Sequence, residues 1–328
     1  MNEQARIDRL AEALESALDP RARLTAADPP VDPSVDPDIA GLLRIALDLR
    51  DLPRPAFKTR LGADLARRAA MTTTATDPTT SRGVQSVIPY LAVRPAVELI
   101  EFVTRAFGAQ ELLRTTGTAG GVHAEVRIGD TRIMIGGGEA WGGSPMPTGL
   151  HLYVPDADRT YRAALEAGAD SLYPPVDQPY GDREAGVKDV AGNHWYIATQ
   201  RTGGHVPAGL GTVTPFLHPR GAPSLIEFLK GAFAADEMGI HHGSDGAIAH
   251  AKIRVGGSVI EMGEAHGEWG PMPTMFYVYV DDVDAWYRRS LAVGATSMEA
   301  PALQPYGERR AAVRDAFDNV WYLAAPAA

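Results

Sequence analysis

The sequence predicts an α+β fold: two tandem copies of one unit, each read as (βαβββ)₂, preceded by an N-terminal helical extension. Three observations carry this reading. First, motifs return about 126 residues apart: Val87-Ile88-Pro89-Tyr90-Leu91 as Val213-Thr214-Pro215-Phe216-Leu217, Gln178-Pro179-Tyr180-Gly181-Asp182-Arg183 as Gln304-Pro305-Tyr306-Gly307-Glu308-Arg309, and Trp195-Tyr196-Ile197-Ala198 as Trp321-Tyr322-Leu323-Ala324. Second, inside each copy the order strand, helix, three strands occurs twice. Third, each copy is far longer than the roughly 20–50-residue units of solenoids, so it can bury a core of its own.

Taken in order, residues 1–70 form the extension. Ile7, Leu10, Leu14 and Leu18 recur at helical spacing, and a stretch rich in Asp and Pro precedes two more helical segments near 38–50 and 55–69. Leu42, Leu43, Ile45, Ala46 and Leu49 give it an apolar stripe that needs a surface to cover it. Residues 71–83 are rich in Thr, too polar to pack, and read as a linker. The first copy spans 84–200. A strand at 86–93 alternates, a helix at 95–109 carries Val97, Ile100, Val103 and Phe107, and strands follow near 110–117, 121–128 and 131–137. The last two of these meet at Gly129-Asp130, a tight hairpin signal repeated as Gly256-Gly257. A strand at 148–154, a helix at 157–168 and strands near 170–176, 184–190 and 193–199 complete the copy. A Gly-rich linker at 201–211 leads to the second copy, 212–328.

Composition narrows the function. The 328 residues are 45% hydrophobic and 22% charged, as in ordinary globular protein. No run approaches the length of a membrane span, and the amino terminus is polar, which together predict a cytoplasmic protein without membrane partners. The net charge of −10 opposes nucleic acid, which is bound through clustered Lys and Arg, and suits a neutral or cationic small molecule. With no cysteine, any metal would need His and carboxylate ligands.

Several polar residues stand where chemistry needs them. His123 and Glu125, like His250 and Lys252, lie two apart on a strand and so share a face. His123 with Glu125 reads as a base with its orienting carboxylate or as two ligands of a displaced metal site, and otherwise the His hydrogen-bonds across the sheet at a domain surface. Glu261 falls where the first copy has Met134. A carboxylate on a cavity-facing strand rarely lacks a partner, so Glu261 is a base, with His250 nearby, or a ligand for a cationic group, or else the partner of Arg254 or Lys252. His218 sits at the exit of the second copy's first strand, while Glu264 and His266 are expected in a solvated loop. Tyr180 with Arg183, and Tyr306 with Arg309, could cap and clamp a ligand at an open barrel end, or the Arg could order its own loop, Arg183 against Asp189 for example. Trp195 and Trp321 read as core, which turns Tyr196 and Tyr322 the other way. Tyr90, Tyr153, Phe216, Tyr277 and Tyr279 supply aromatic surface on strands.

The run from Asp177 to Arg183, followed by Asp189 to Ile197 (DVAGNHWYI), resembles the PhnB-like branch of the vicinal oxygen chelate superfamily, the group of glyoxalase I, bleomycin-resistance proteins and extradiol dioxygenases. The resemblance covers about 84–200 and 211–325. It implies that two βαβββ modules bend into a half-open barrel around a ligand, in many members with a divalent metal held from the first and last strands of each module. Within each copy those places fall on Ile88, Met134, Gly149 and Tyr196, then on Thr214, Glu261, Met275 and Tyr322. Only Glu261 is a good ligand there, so a metal is disfavoured; if one binds, Glu261 and His250 would hold it. No other cofactor is implied. Two functions stay open: a glyoxalase-like lyase or isomerase moving a proton on a small organic substrate, and a metal-free binding or sequestering protein of the drug-resistance type. In either case the more specialised site is expected around His250 and Glu261 in the second copy, with a mostly apolar cavity around Met134, His123 and Tyr196 in the first. The two copies are expected to pair as an intrachain pseudo-dimer.

Overall fold

The computed structural model describes residues 84–326 apart from 118–120, 140 and 203. The expected helical extension and the Thr-rich linker lie outside the described residues.

Four βαβββ modules follow one another. The first holds β1 (Val84–Val93), α1 (Ala96–Phe107), β2 (Gln110–Thr116), β3 (Val122–Ile128) and β4 (Thr131–Gly137). The second holds β5 (Gly149–Tyr153), α2 (Ala157–Glu166), β6 (Asp170–Asp177), β7 (Asp182–Lys188) and β8 (His194–Gln200). The third holds β9 (Val213–Leu217), α3 (Ala222–Phe233), β10 (Asp236–His242), β11 (Ile248–Val255) and β12 (Ser258–Met262). The fourth holds β13 (Met275–Val280), α4 (Val283–Ala292), β14 (Thr296–Leu303), β15 (Glu308–Arg314) and β16 (Val320–Pro326). Local chemistry sets the helix ends. Asp156 and Asp282 cap α2 and α4 by accepting from the amides of Arg159 and Ala285, and Gly108 ends α1 in the left-handed region at φ 68°.

In every module the first strand runs parallel to the fourth, which leaves its other edge open. That edge decides the architecture. β1 pairs antiparallel with β13, and β5 with β9. Two eight-stranded sheets result, in the orders β14-β15-β16-β13-β1-β4-β3-β2 and β10-β11-β12-β9-β5-β8-β7-β6. Joining first strand to first strand closes edges that would otherwise invite aggregation.

The sheets therefore cut across the sequence copies, whereas the hydrophobic cores largely keep to them. One core joins α1 and α2 of the first copy through Leu99, Phe102, Leu150, Leu152 and Trp195; the other joins α3 and α4 of the second through Leu225, Phe233, Phe276 and Trp321. The DVAGNHW motif is structural. Asp189 accepts from the Trp195 indole at 2.8 Å and from the Asn193 side-chain amide at 2.9 Å, and Asn193 Oδ1 accepts from the Thr148 amide at 3.1 Å. Asp315, Asn319, Trp321 and Thr274 repeat this arrangement. It fixes Thr148 and Thr274, whose hydroxyls meet at the junction between copies.

Candidate functional site

Alternation along each strand sorts side chains between core and concave face. In the second sheet Leu150, Leu152, Ala185, Trp195, Ile197, Ala251 and Ile260 are buried in the cores. Their neighbours His151, Tyr153, Asp182, Glu184, Tyr196, His250, Lys252 and Glu261 line a cavity of about 1110 Å³. Both sequence copies supply this wall. β5, β7 and β8 bring the first copy's residues, and β9, β11 and β12 bring the second's.

At its floor four ionisable side chains form a chain of contacts. Glu261, 0% exposed, faces His151 Nδ1 with Oε2 at 2.9 Å and His250 Nε2 with Oε1 at 3.2 Å. His151 Nε2 meets Glu184 at 3.1 Å, and Glu184 also accepts from Tyr173 at 2.6 Å and Tyr180 at 3.0 Å. Burial alone would strip these groups of charge. For His151 burial works against the cation, but the Glu261 charge and bonds to both carboxylates outweigh it and push its pKa up to about 10. Glu261 is held well below the ordinary carboxylate range, since His151 and His250 overcome its desolvation. Glu184 is likewise lowered, against burial, chiefly by its bond to His151. The buried floor is thus an imidazolium between two carboxylates.

The side walls are aromatic and uncharged. Tyr196 donates to His218 Nε2 at 2.8 Å; burial raises the phenol's pKa and lowers that of His218 to about 4, which leaves His218 a neutral acceptor. Trp269 stacks on His218 with centroids 6.0 Å apart and meets Tyr196 edge-on at 5.8 Å, while Phe216 meets Tyr196 edge-on at 5.3 Å. Trp269 rides on the loop at 263–274. That loop is tied to α3 by Glu264, whose carboxylate accepts from the amides of Gly221 and Ala222 and so caps the helix. Glu264 and His266 lie on this loop, as expected, Glu264 half-buried and His266 exposed, and both border the cavity.

The structure regroups the residues singled out in the sequence. It brings His250, Glu261, Tyr153, Tyr180, Tyr196, Phe216 and His218 into one cavity. Tyr196 thus joins Glu261, not Met134 and His123, because β8 and β12 share a sheet. Arg183 and Arg309 point away. The inward turn of Asp182 and Glu184 forces Arg183 outward, where it binds Asp158 and Asp177 and not Asp189; Arg309 binds Asp284 on α4. Glu125 turns to Arg132, 3.3 Å away, and His123 is bonded to Tyr90 at 3.1 Å.

The first sheet repeats the frame with altered side chains. Met134 replaces Glu261, Tyr277 replaces His151, and Arg310 replaces Glu184, its guanidinium 4.8 Å from the centre of the Tyr322 ring. Ile88, Met134, Tyr90, Tyr277, Tyr279 and Tyr322 pack together over this face. Tyr306 accepts from Arg310 at 3.0 Å.

His151 and Glu184 escaped the sequence reading. Matching positions within one copy selected Gly149; the cross-copy sheet selects His151, two residues on, directly opposite Thr214 and beside Tyr196. The ligands of a divalent ion, if the resemblance held for one, would come from such strand positions, here Thr214, Glu261, His151 and Tyr196. These do not fit one. Thr214 and Tyr196 are poor donors, and both nitrogens of His151 are already engaged by carboxylates, with no lone pair left on the imidazolium. Among the described residues no group of three or more His, Asp or Glu side chains could hold a metal ion.

The His151 cation yields a pH signature. Its contribution to stability is complete below about pH 6.5, the ordinary histidine value, and is lost as the pH rises through about 10. The stability difference between the native protein and His151→Gln, measured by urea unfolding, is expected to shrink steadily over that window. A difference that stays constant would show that His151 is neutral when folded.

The sequence model of the Glyoxalase/Bleomycin resistance protein/Dioxygenase superfamily matches residues 87–197 and 223–323. The fold is similar to that of glyoxalase I from Zea mays, with a TM-score of 0.57 and 13% identity over 73% of this chain and 92% of that one. An uncharacterized protein of Mycobacterium bovis is 37% identical over 122 residues, which cover 33% of this chain and 79% of its own; one from Mycobacterium tuberculosis matches equally, over 71% of its length. Among the described residues no helix is long and apolar enough to cross a membrane. Two matched segments covering more than half of the sequence, on two sheets of paired βαβββ modules, show that the chain belongs to the glyoxalase/bleomycin resistance protein/dioxygenase superfamily.

Proposed function

We propose that the cavity of the second sheet binds a small organic molecule and moves a proton on it, with His250 as the base and Glu261 as the carboxylate that orients it. One observation carries this reading: His250 lines the cavity with Nε2 fixed on a fully buried, ionised Glu261. The other ring nitrogen, Nδ1, is then the one left for a ligand. Glu261 itself is a weak base, because its two imidazole partners hold it as an anion. A His with a positioned carboxylate is a common design for general acid–base catalysis, contributing about 10²–10⁴-fold.

The test is exchange of carbon-bound hydrogen for solvent deuterium, followed by NMR across a set of small ketones and aldehydes. At least one compound is expected to exchange faster with the protein, and His250→Gln is expected to lower that rate at least about 100-fold while leaving the unfolding midpoint nearly unchanged. Full exchange by His250→Gln would refute the assignment. The aromatic wall of Tyr196, Phe216, His218 and Trp269 favours a second reading, binding without turnover. Saturable ligand binding with no exchange for any compound would select it.

A further inference from the structure

We infer that Lys252 supplies the positive charge for the reacting oxygen, so that the substrates are planar carbonyl compounds passing through an enolate. This rests on the proton-transfer reading and adds its electrophile. Lys252 and His250 lie two apart on β11 and share the inward face. Both reach the same atom of Glu261: His250 Nε2 stands 3.2 Å from Oε1 and Lys252 Nζ 3.7 Å from it. At 3.7 Å the ammonium feels the carboxylate without a hydrogen bond to it, so its N–H groups are not spent there. Oε1 already has His250, with Tyr153 at 3.4 Å. Opposite Lys252 on β10 stands Gly239, with nothing within 4 Å of where a side chain would begin, and both residues border the cavity. The matching residue of the first sheet is Glu125, turned to Arg132, so Lys252 has no counterpart at that place.

A base and a cation at neighbouring points, beneath aromatic walls, suit a C–H next to a carbonyl. His250 Nδ1 takes the proton, the C–H pair becomes the new C=C bond, and the carbonyl π pair moves onto oxygen, where the Lys252 ammonium stabilises it. Return of the proton from His250 to the same or a conjugated carbon gives exchange or isomerisation, with no other reactant.

The probe is 4-nitrophenol, a planar molecule whose coloured phenolate mimics an enolate oxygen. Bound to the full-length protein, it is expected to ionise at least about one pH unit below the free dye, a tenfold preference for the anion. Lys252→Met is expected to erase that preference and Lys252→Arg to keep most of it; the unfolding midpoints of both variants show whether each has kept its fold. The inference is overturned if bound and free dye titrate together, if Lys252→Met behaves as the native protein, or if the dye does not bind saturably. His250→Gln separates the two claims: a retained dye shift with no hydrogen exchange in any protein supports the cation and refutes the base.

Discussion

Glu261→Gln is expected to cost about 3–5 kcal/mol of stability and to slow hydrogen exchange at least about 100-fold. The change is nearly isosteric, so packing does not explain the loss. It removes the fully buried anion that faces His151 at 2.9 Å and His250 at 3.2 Å. His151 would keep only Glu184 as its countercharge, and removing one partner of a buried, hydrogen-bonded ion pair is far costlier than losing a surface pair. His250 would lose the group that selects its tautomer and aims its ring. Met134→Leu, at the matching place of the first sheet, conserves volume in an apolar cluster and is expected to cost less than about 1.5 kcal/mol with no effect on the cavity. Urea unfolding and the exchange assay read both variants. A Glu261→Gln protein as stable and as active as Met134→Leu would sink the charge-chain account.

Separating the copies is expected to have the larger structural effect. If residues 84–206 and 207–326 are produced as two chains, each keeps its helices and hydrophobic core, but each loses both partner strands at its module edges. β1 would lose its six-residue pairing with β13, and β5 its four-residue pairing with β9. Open edges of that length are templates for association. Each half alone is expected to self-pair or aggregate, and mixing the halves is expected to rebuild a 1:1 complex with the cavity restored. Sedimentation velocity distinguishes these states. A well-folded monomeric half would show that the cross-copy pairing is dispensable.

The architecture was legible in the sequence because it rests on local signals: period-2 and helical runs, the Gly129-Asp130 and Gly256-Gly257 hairpins, and Trp195 and Trp321 alternating with Tyr196 and Tyr322. That the two copies would pair within the chain was expected, but which module edges meet was not legible, since a free strand edge carries no mark of which other edge will cover it. That single choice moved Tyr196 to Glu261 and hid His151 behind Gly149. Glu184 was hidden differently. It differs from its repeat, Arg310, in the sign of its charge, and only its contact with His151 shows that the difference matters. Arg183 invited a binding role by its motif, yet strand alternation alone, with Asp182 and Glu184 turned inward, sends it outward to Asp158.

Trp269 has a practical consequence. Trp195 and Trp321 are wholly buried, one in each hydrophobic core, whereas Trp269 faces the cavity and stacks on the uncharged His218 ring. Protonating His218, which happens only near pH 4, would place a cation against that indole. From neutral pH upward Trp269 is therefore free of quenching by an adjacent imidazolium at His218, and of the chain's five tryptophans it is the one in the cavity wall, placed so that its emission reads occupancy there.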